Sequence, residues 1–154
     1  MICVHNYVNV RCSLKIYGKK GLEFEADIEE KAIIEADEGL LEIIWTNLLS
    51  NAIKFTPRGG KVTLTQISDM DTITVCVADT GCGIDKKTIN RIFDKFYQGD
   101  TSHSTEGNGL GLALVKRIIQ LSDVSIEVRS SVGHGTAFTV RLPKTRIING
   151  EETV

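Results

Sequence analysis

Residues 45–56 constrain the fold more than any other stretch: Trp-Thr-Asn-Leu-Leu-Ser-Asn-Ala-Ile-Lys-Phe-Thr, closed by Pro57. Leu41, Trp45, Leu48, Leu49 and Ala52 recur at helical spacing, which predicts an amphipathic helix with one apolar arc turned to a core. Pro57 stops it. Beside the arc runs a second stripe, since at about 100° per residue Asn47, Asn51 and Lys54 fall within roughly 60° of one another. Asparagine side chains compete for backbone hydrogen bonds, so two of them in mid-helix oppose local preference. An amide, a second amide four residues on and an ammonium three further form a row of oxygen ligand, donor and cation suited to a phosphate–Mg²⁺ group. A solvated helix edge that happens to carry asparagine accounts for the same residues, and this stretch alone leaves both readings open.

A chain of 154 residues fits one domain with a core of its own. Its net charge of −2 offers no basic surface for nucleic acid. No apolar run reaches the ~18 residues that a membrane helix needs, and residues 1–10 lack the pattern of a signal peptide. Cys3, Cys12, Cys76 and Cys82 have no metal-type spacing and read as free thiols of a reducing, cytoplasmic compartment.

Residues 8–17 are weakly helical, and residues 1–21 form a lead-in. Residues 22–28, Leu-Glu-Phe-Glu-Ala-Asp-Ile, alternate as a half-buried strand does, and residues 32–35 read as a short second strand. Asp37 is placed to cap the long helix, with Glu38 in its first turn. Arg58-Gly59-Gly60 turns into two strands, 61–68 and 72–78, joined by a hairpin at 68–71. Directly after them stands Asp79-Thr80-Gly81-Cys82-Gly83-Ile84. Alternate glycines let a backbone bend and approach a ligand closely, while a plain surface turn explains the hexapeptide equally well. Asp-Thr-Gly also occurs in aspartic proteases, but no second carboxylate in a matching context is present to share a proton.

Residues 85–92 read as a short helix, followed by the aromatic cluster Phe93-Asp94-Lys95-Phe96-Tyr97, which suits either core or site. The polar run 98–106 reads as a lid or a loop. Gly107-Asn108-Gly109-Leu110-Gly111-Leu112-Ala113-Leu114 then opens a helix with Leu112, Val115, Ile118 and Ile119 inward. Glycines entering a helix N-terminus present bare N–H groups to an anion. A dinucleotide fingerprint would need glycine at Leu112 and a strand before it. Residues 124–129 and 136–142 alternate as strands around a turn at 130–135, and Pro143 ends the regular structure. The order strands, helix, strands, helix, strands predicts an α+β sandwich, a mixed sheet with helices on one face.

Four blocks now stand in order: 47–56, 79–84, 107–114 and Gly133-His134-Gly135-Thr136-Ala137-Phe138. Together they resemble the N, G1, G2 and G3 boxes of sensor histidine kinases, with residues 93–97 as the F box between. The resemblance covers about residues 22–143 and implies a histidine kinase ATP-binding catalytic domain, bounded at 22–148, in the Bergerat fold, shared with gyrase, the heat-shock chaperone ATPase and the mismatch-repair ATPase. That fold is a two-layer sandwich with a mixed, mostly antiparallel five-stranded sheet, about three helices on one face and a flexible ATP lid; residues 149–154 are a tail. The resemblance implies Mg²⁺ on Asn51 and phosphate oxygens at Asn47 and Lys54. It implies the adenine amino group on Asp79, with Gly81 and Gly83 admitting the base and Thr136 supporting its edge. The triphosphate would rest on the N–H groups of Gly109, Leu110, Gly111 and Leu112. Phe55, Ile84, Phe93, Lys95 and Gly107 complete the ATP-binding set.

Hydrolysing relatives carry Glu at the position of Asn47, where it activates water; an amide cannot take that proton. The expected activity is therefore transfer of the γ-phosphoryl group from Mg-ATP to a histidine, with little ATPase. In the family that histidine lies on a separate helical dimerisation domain, followed by Glu or Asp. His5, His103 and His134 lack that context, so this chain supplies no phosphoacceptor and is expected not to autophosphorylate alone. Implied partners are the dimerisation domain of the same kinase and a downstream response regulator. The domain itself is expected to touch neither nucleic acid nor membrane, within a cytoplasmic portion of a membrane-anchored parent. The alternative is a degenerate module that binds nucleotide only to hold a partner in one conformation.

Overall fold

The structure is a computed structural model that describes residues 20–29, 34, 36–98 and 109–144. Five strands, β1 (Glu23–Ile28), β2 (Lys61–Ser68), β3 (Thr72–Asp79), β4 (Ser125–Ser131) and β5 (Gly135–Pro143), form one sheet in the order β1-β2-β3-β5-β4. Three helices are described: α1 (Glu38–Phe55), α2 (Lys86–Ile89) and α3 (Gly111–Gln120). β1 and β2 are parallel and the other three pairs antiparallel. A parallel pair requires a crossover, and α1 lies within the one that joins β1 to β2. This is the mixed α+β sandwich expected from the order of elements, with the mostly antiparallel five-stranded sheet that the family resemblance implied.

Burial follows strand parity. The register aligns Leu64, Val77, Phe138 and Val128 in one row across four strands, and Gln66, Val75, Val140 and Ile126 in the next. Both rows face the apolar sides of α1 and α3, where Ile44, Leu48 and Val115 are fully buried. Leu112, Ile119, Ile126 and Val128 close the margins of that core. Threonines Thr63, Thr65, Thr74 and Thr139, of the other parity, are only half-buried.

Local chemistry sets the ends of α1. The Asp37 carboxylate accepts the N–H of Leu40 at 3.0 Å. At the other end the Lys20 ammonium donates to the carbonyls of Ile53 and Lys54 at 2.5 and 2.9 Å, a cation on the negative end of the helix dipole. The buried Thr56 hydroxyl donates to the Ala52 carbonyl at 2.6 Å just before Pro57. In the β2–β3 hairpin, the Asp69 carboxylate accepts from the N–H groups of Asp71 and Thr72.

Several sequence expectations change. The strand expected at 32–35 falls mostly outside the described residues, and Ile34 is a buried core residue outside the sheet. The expected helix over 85–92 shrinks to four residues, because Asp85 caps Lys87 and Thr88 and the chain then turns by i→i+3 bonds from Arg91 to Thr88 and Asp94 to Arg91. The turn expected over 130–135 tightens to 132–134, since Ser130 and Ser131 pair with Thr136 and Gly135 inside the sheet. The helix expected at 8–17, the tail at 149–154 and the lid beyond Gln98 lie outside the described residues.

Leu48→Ala should lower the unfolding free energy by about 2–5 kcal/mol through loss of buried area and the cavity left behind. Asp37→Ala should cost about 1 kcal/mol. Urea denaturation measures both.

Candidate functional site

At one end of the sheet the helix-facing rows turn from apolar to polar. One step beyond Leu64, Val77, Phe138 and Val128, the same face carries Val62, Asp79, Thr136 and Ser130 on four adjacent strands. The Asp79 carboxylate accepts the Gly81 N–H at 2.8 Å and the Thr136 N–H. Burial pushes its pKa upward, against the pull of those two donors. The Ser130 hydroxyl accepts the Ile84 N–H at 2.7 Å and lies 2.9 Å from the Gly135 carbonyl oxygen and 2.8 Å from the Thr136 hydroxyl. The loop at 81–84 is thereby tied to the β4–β5 hairpin. Gly83 has φ +71°, and a Cβ there would meet the Ser131 carbonyl at 2.0 Å, so only glycine fits. Gly81 is buried, tight against the Phe55 carbonyl at the end of α1.

The two long helices meet at the other wall. The Asn47 amide nitrogen donates back to the Ile43 carbonyl at 2.8 Å. Its Oδ1 lies against Gly111, where a Cβ would come within 2.4 Å of it. The N-terminus of α3 therefore abuts Asn47, and its N-cap residue Leu110 supplies no capping side-chain hydrogen bond. Its dipole end and first N–H groups suit an anion. Asn51, one turn further along α1, is half-buried, and no hydrogen bond engages its amide among the described residues. Lys54 is half-buried with its ammonium 5.3 Å from the Phe55 ring centroid.

The aromatic cluster divides. Phe93 packs on the core beneath the Lys116 ammonium, 5.9 Å from its ring centroid. Phe96 is 72% exposed, has φ +61° and donates its N–H to the Gly109 carbonyl at 3.0 Å, joining this cluster to the approach to α3. The Arg91 guanidinium lies 4.5 Å from the Tyr97 ring centroid. Lys95 is exposed, Leu110 precedes α3, Leu112 packs on the core, and Gly107 lies outside the described residues. His134 sits exposed in the β4–β5 turn, while His5 and His103 lie outside the described residues.

The structure thus brings Asn47 to Gly111, Asp79 to Gly81 and Thr136, and Phe55 to Gly81, while Lys95 is not drawn against any of them. Ser130 was not a sequence candidate. The available signal was parity, since Ile126, Val128 and Ser130 alternate on one face and the last is polar.

The family model for "Histidine kinase-, DNA gyrase B-, and HSP90-like ATPase" matches residues 36–146. The chain belongs to this family. Its relatives within this ATPase family include proteins named as sensor histidine kinases. Histidine protein kinase DivJ of Caulobacter vibrioides is 41% identical over 111 residues, 71% of this chain and 19% of DivJ. The solved mycobacterial sensor histidine kinase MprB aligns over 92% of this chain and 96% of its own at 26% identity, with a TM-score of 0.79. Full-length ShkA in complex with AMPPNP aligns over 94% of this chain and 31% of its own at 30% identity, with a TM-score of 0.78. The chain spans about a fifth of DivJ, so it corresponds to the ATPase portion of such a kinase. No helix among the described residues is long and apolar enough to cross a membrane.

Because the folded pKa of Asp79 lies above its ordinary value of 3.8, the fold binds that proton more tightly than the unfolded chain does. The aspartate's stability contribution is therefore greatest below that ordinary value and is lost as pH rises through the raised one. Asp79→Asn should be close to neutral in acid and increasingly stabilising as the carboxylate ionises. Urea denaturation at several pH values checks this, and a gap that closes toward neutral pH would contradict it.

Proposed function

We propose that this chain binds Mg-ATP and delivers its γ-phosphoryl group to a histidine on a separate dimerisation domain of the same kinase, from which a response regulator is phosphorylated in turn. One arrangement carries the reading: the N-terminus of α3 abuts Asn47 at one wall, and a half-buried carboxylate in a polar row stands at another. The AMPPNP of ShkA supports an adenine nucleotide as the occupant.

Each residue's part follows from its chemistry. The base lies against Asp79 and Thr136, its amino group donating to the carboxylate, with Gly81, Gly83 and Ile84 forming the loop beside it. The phosphates take N–H groups from Gly109, Leu110, Gly111 and Leu112, and polar contacts from Asn47 and Lys54. Phe55, Phe93, Lys95 and Gly107 border the nucleotide. Mg²⁺ fits the donor set, because it takes few protein ligands and completes its shell with phosphate and water, and the Asn51 amide oxygen supplies one. When bound, the metal neutralises charge that develops on the phosphate oxygens.

Asn47 cannot accept a proton from water, so this position of α1 supplies no general base for hydrolysis. Phosphoryl transfer asks mainly for alignment and charge neutralisation, which the N-terminus of α3 and Lys54 supply. The acceptor comes from another domain.

Mixing the purified chain with Mg-ATP and a helical domain that carries a phosphoacceptor histidine should place an acid-labile, base-stable phosphate on that domain, and nucleotide binding with no such phosphate would refute the transfer. Asn51→Ala should weaken Mg-dependent ATP binding by about 10–100-fold in calorimetric titration; unchanged affinity removes Asn51 from the metal.

A further inference from the structure

We infer that Ser130 is a positioning residue for base selectivity, because its hydroxyl consumes the hydrogen of Thr136 and leaves the end of the sheet presenting acceptors alone. The inference rests on the reading that a purine lies against Asp79 and Thr136. Its ground is a count of hydrogens. The Ser130 oxygen has one hydrogen and two lone pairs. One lone pair takes the Ile84 N–H at 2.7 Å. The Gly135 carbonyl, 2.9 Å away, can only accept, so the hydroxyl hydrogen of Ser130 goes there. The 2.8 Å contact between Ser130 and Thr136 must then be donated by Thr136 into the remaining lone pair. In the reverse arrangement, the Ser130 and Gly135 oxygens would face each other with no proton between them.

With its hydrogen spent on Ser130, the Thr136 hydroxyl offers a ligand only lone pairs. The neighbouring Asp79 carboxylate also only accepts, and it already takes N–H groups from Gly81 and Thr136. These residues stand side by side on adjacent strands, paired Asp79 with Thr136 and Thr136 with Ser130. A purine with an amino group at this position donates into the row. A purine with a carbonyl there sets lone pairs against lone pairs, and unpaired polar groups in a closed site discriminate strongly. Ser130 touches no ligand in this account; it acts through Thr136 and through the Ile84 N–H that anchors the loop.

ATP and ITP test this: ITP sets an accepting carbonyl where ATP has a donating amino group at the purine 6-position, and it carries an N–H at N1 where ATP has a bare nitrogen, a second difference common to every variant compared. The unaltered chain with Mg²⁺ should bind ATP more tightly than ITP. In Ser130→Ala the Thr136 hydroxyl is free to rotate and donate, so the ATP:ITP affinity ratio should fall about tenfold. Thr136→Val should lower the ratio similarly, and the double variant should lower it no further, because both changes remove one device. Ser130→Thr, which keeps the hydroxyl, should restore the ratio. Calorimetric titration reads each affinity, and thermal melting confirms that each variant folds. If Ser130→Ala weakens ATP and ITP equally, the serine is merely structural and the inference fails, while the ATP site stands. If the unaltered chain binds ATP and ITP alike, or neither, the placement of the base fails and the inference falls with it.

Discussion

Between β3 and β5 the antiparallel register pairs Val77 with Phe138 and Asp79 with Thr136. A slip of β3 by one residue would turn its apolar set away from α1 and α3 and carry Asp79 to the opposite face. The same pairing that buries the core therefore also aims the carboxylate. The core holds it firmly, because Val75, Val77, Phe138 and Val140 are all almost completely buried beneath the helices. The site is the last, polar row of the sheet rather than a separate construction placed upon it.

That economy has a cost in stability. A carboxylate half-sunk at the end of an apolar face loses solvation that two N–H groups only partly return, which is why its proton is held more tightly than usual. Asparagines in the middle of α1 likewise oppose helix propensity, and Asn47 shows the competition openly by bonding the carbonyl one turn back. Where local preference and structure disagree, a ligand is the natural beneficiary. The amide row and Asp79 each tolerate an unfavourable arrangement, and in the proposed function one nucleotide accounts for both.

The division of labour between domains follows from the same residues. α1 presents amides where a hydrolysing enzyme of this family would present a carboxylate, which is why the proposed function has the domain orient a phosphoryl group whose acceptor comes from elsewhere.

The sequence by itself determined what depends on neighbours within about a turn: α1 and its Asp37 cap, the parity of each strand, and the ordered boxes that mark the family. Periodicity and capping are local, so they can be read without knowing the fold. Only the tertiary structure decided that β5 inserts between β3 and β4, that Gly111 closes on Asn47, that Lys20 caps a helix more than thirty residues away, and that α2 stops after one turn. It also decided that Ser130 belongs to the sheet and not to a turn, which is what places its hydroxyl against Thr136. The first three are contacts between residues far apart in the chain, chosen by which apolar surfaces can be buried together, and no short window of sequence contains both partners; the end of α2 and the pairing of Ser130 turn on nearby hydrogen bonds that periodicity does not reveal.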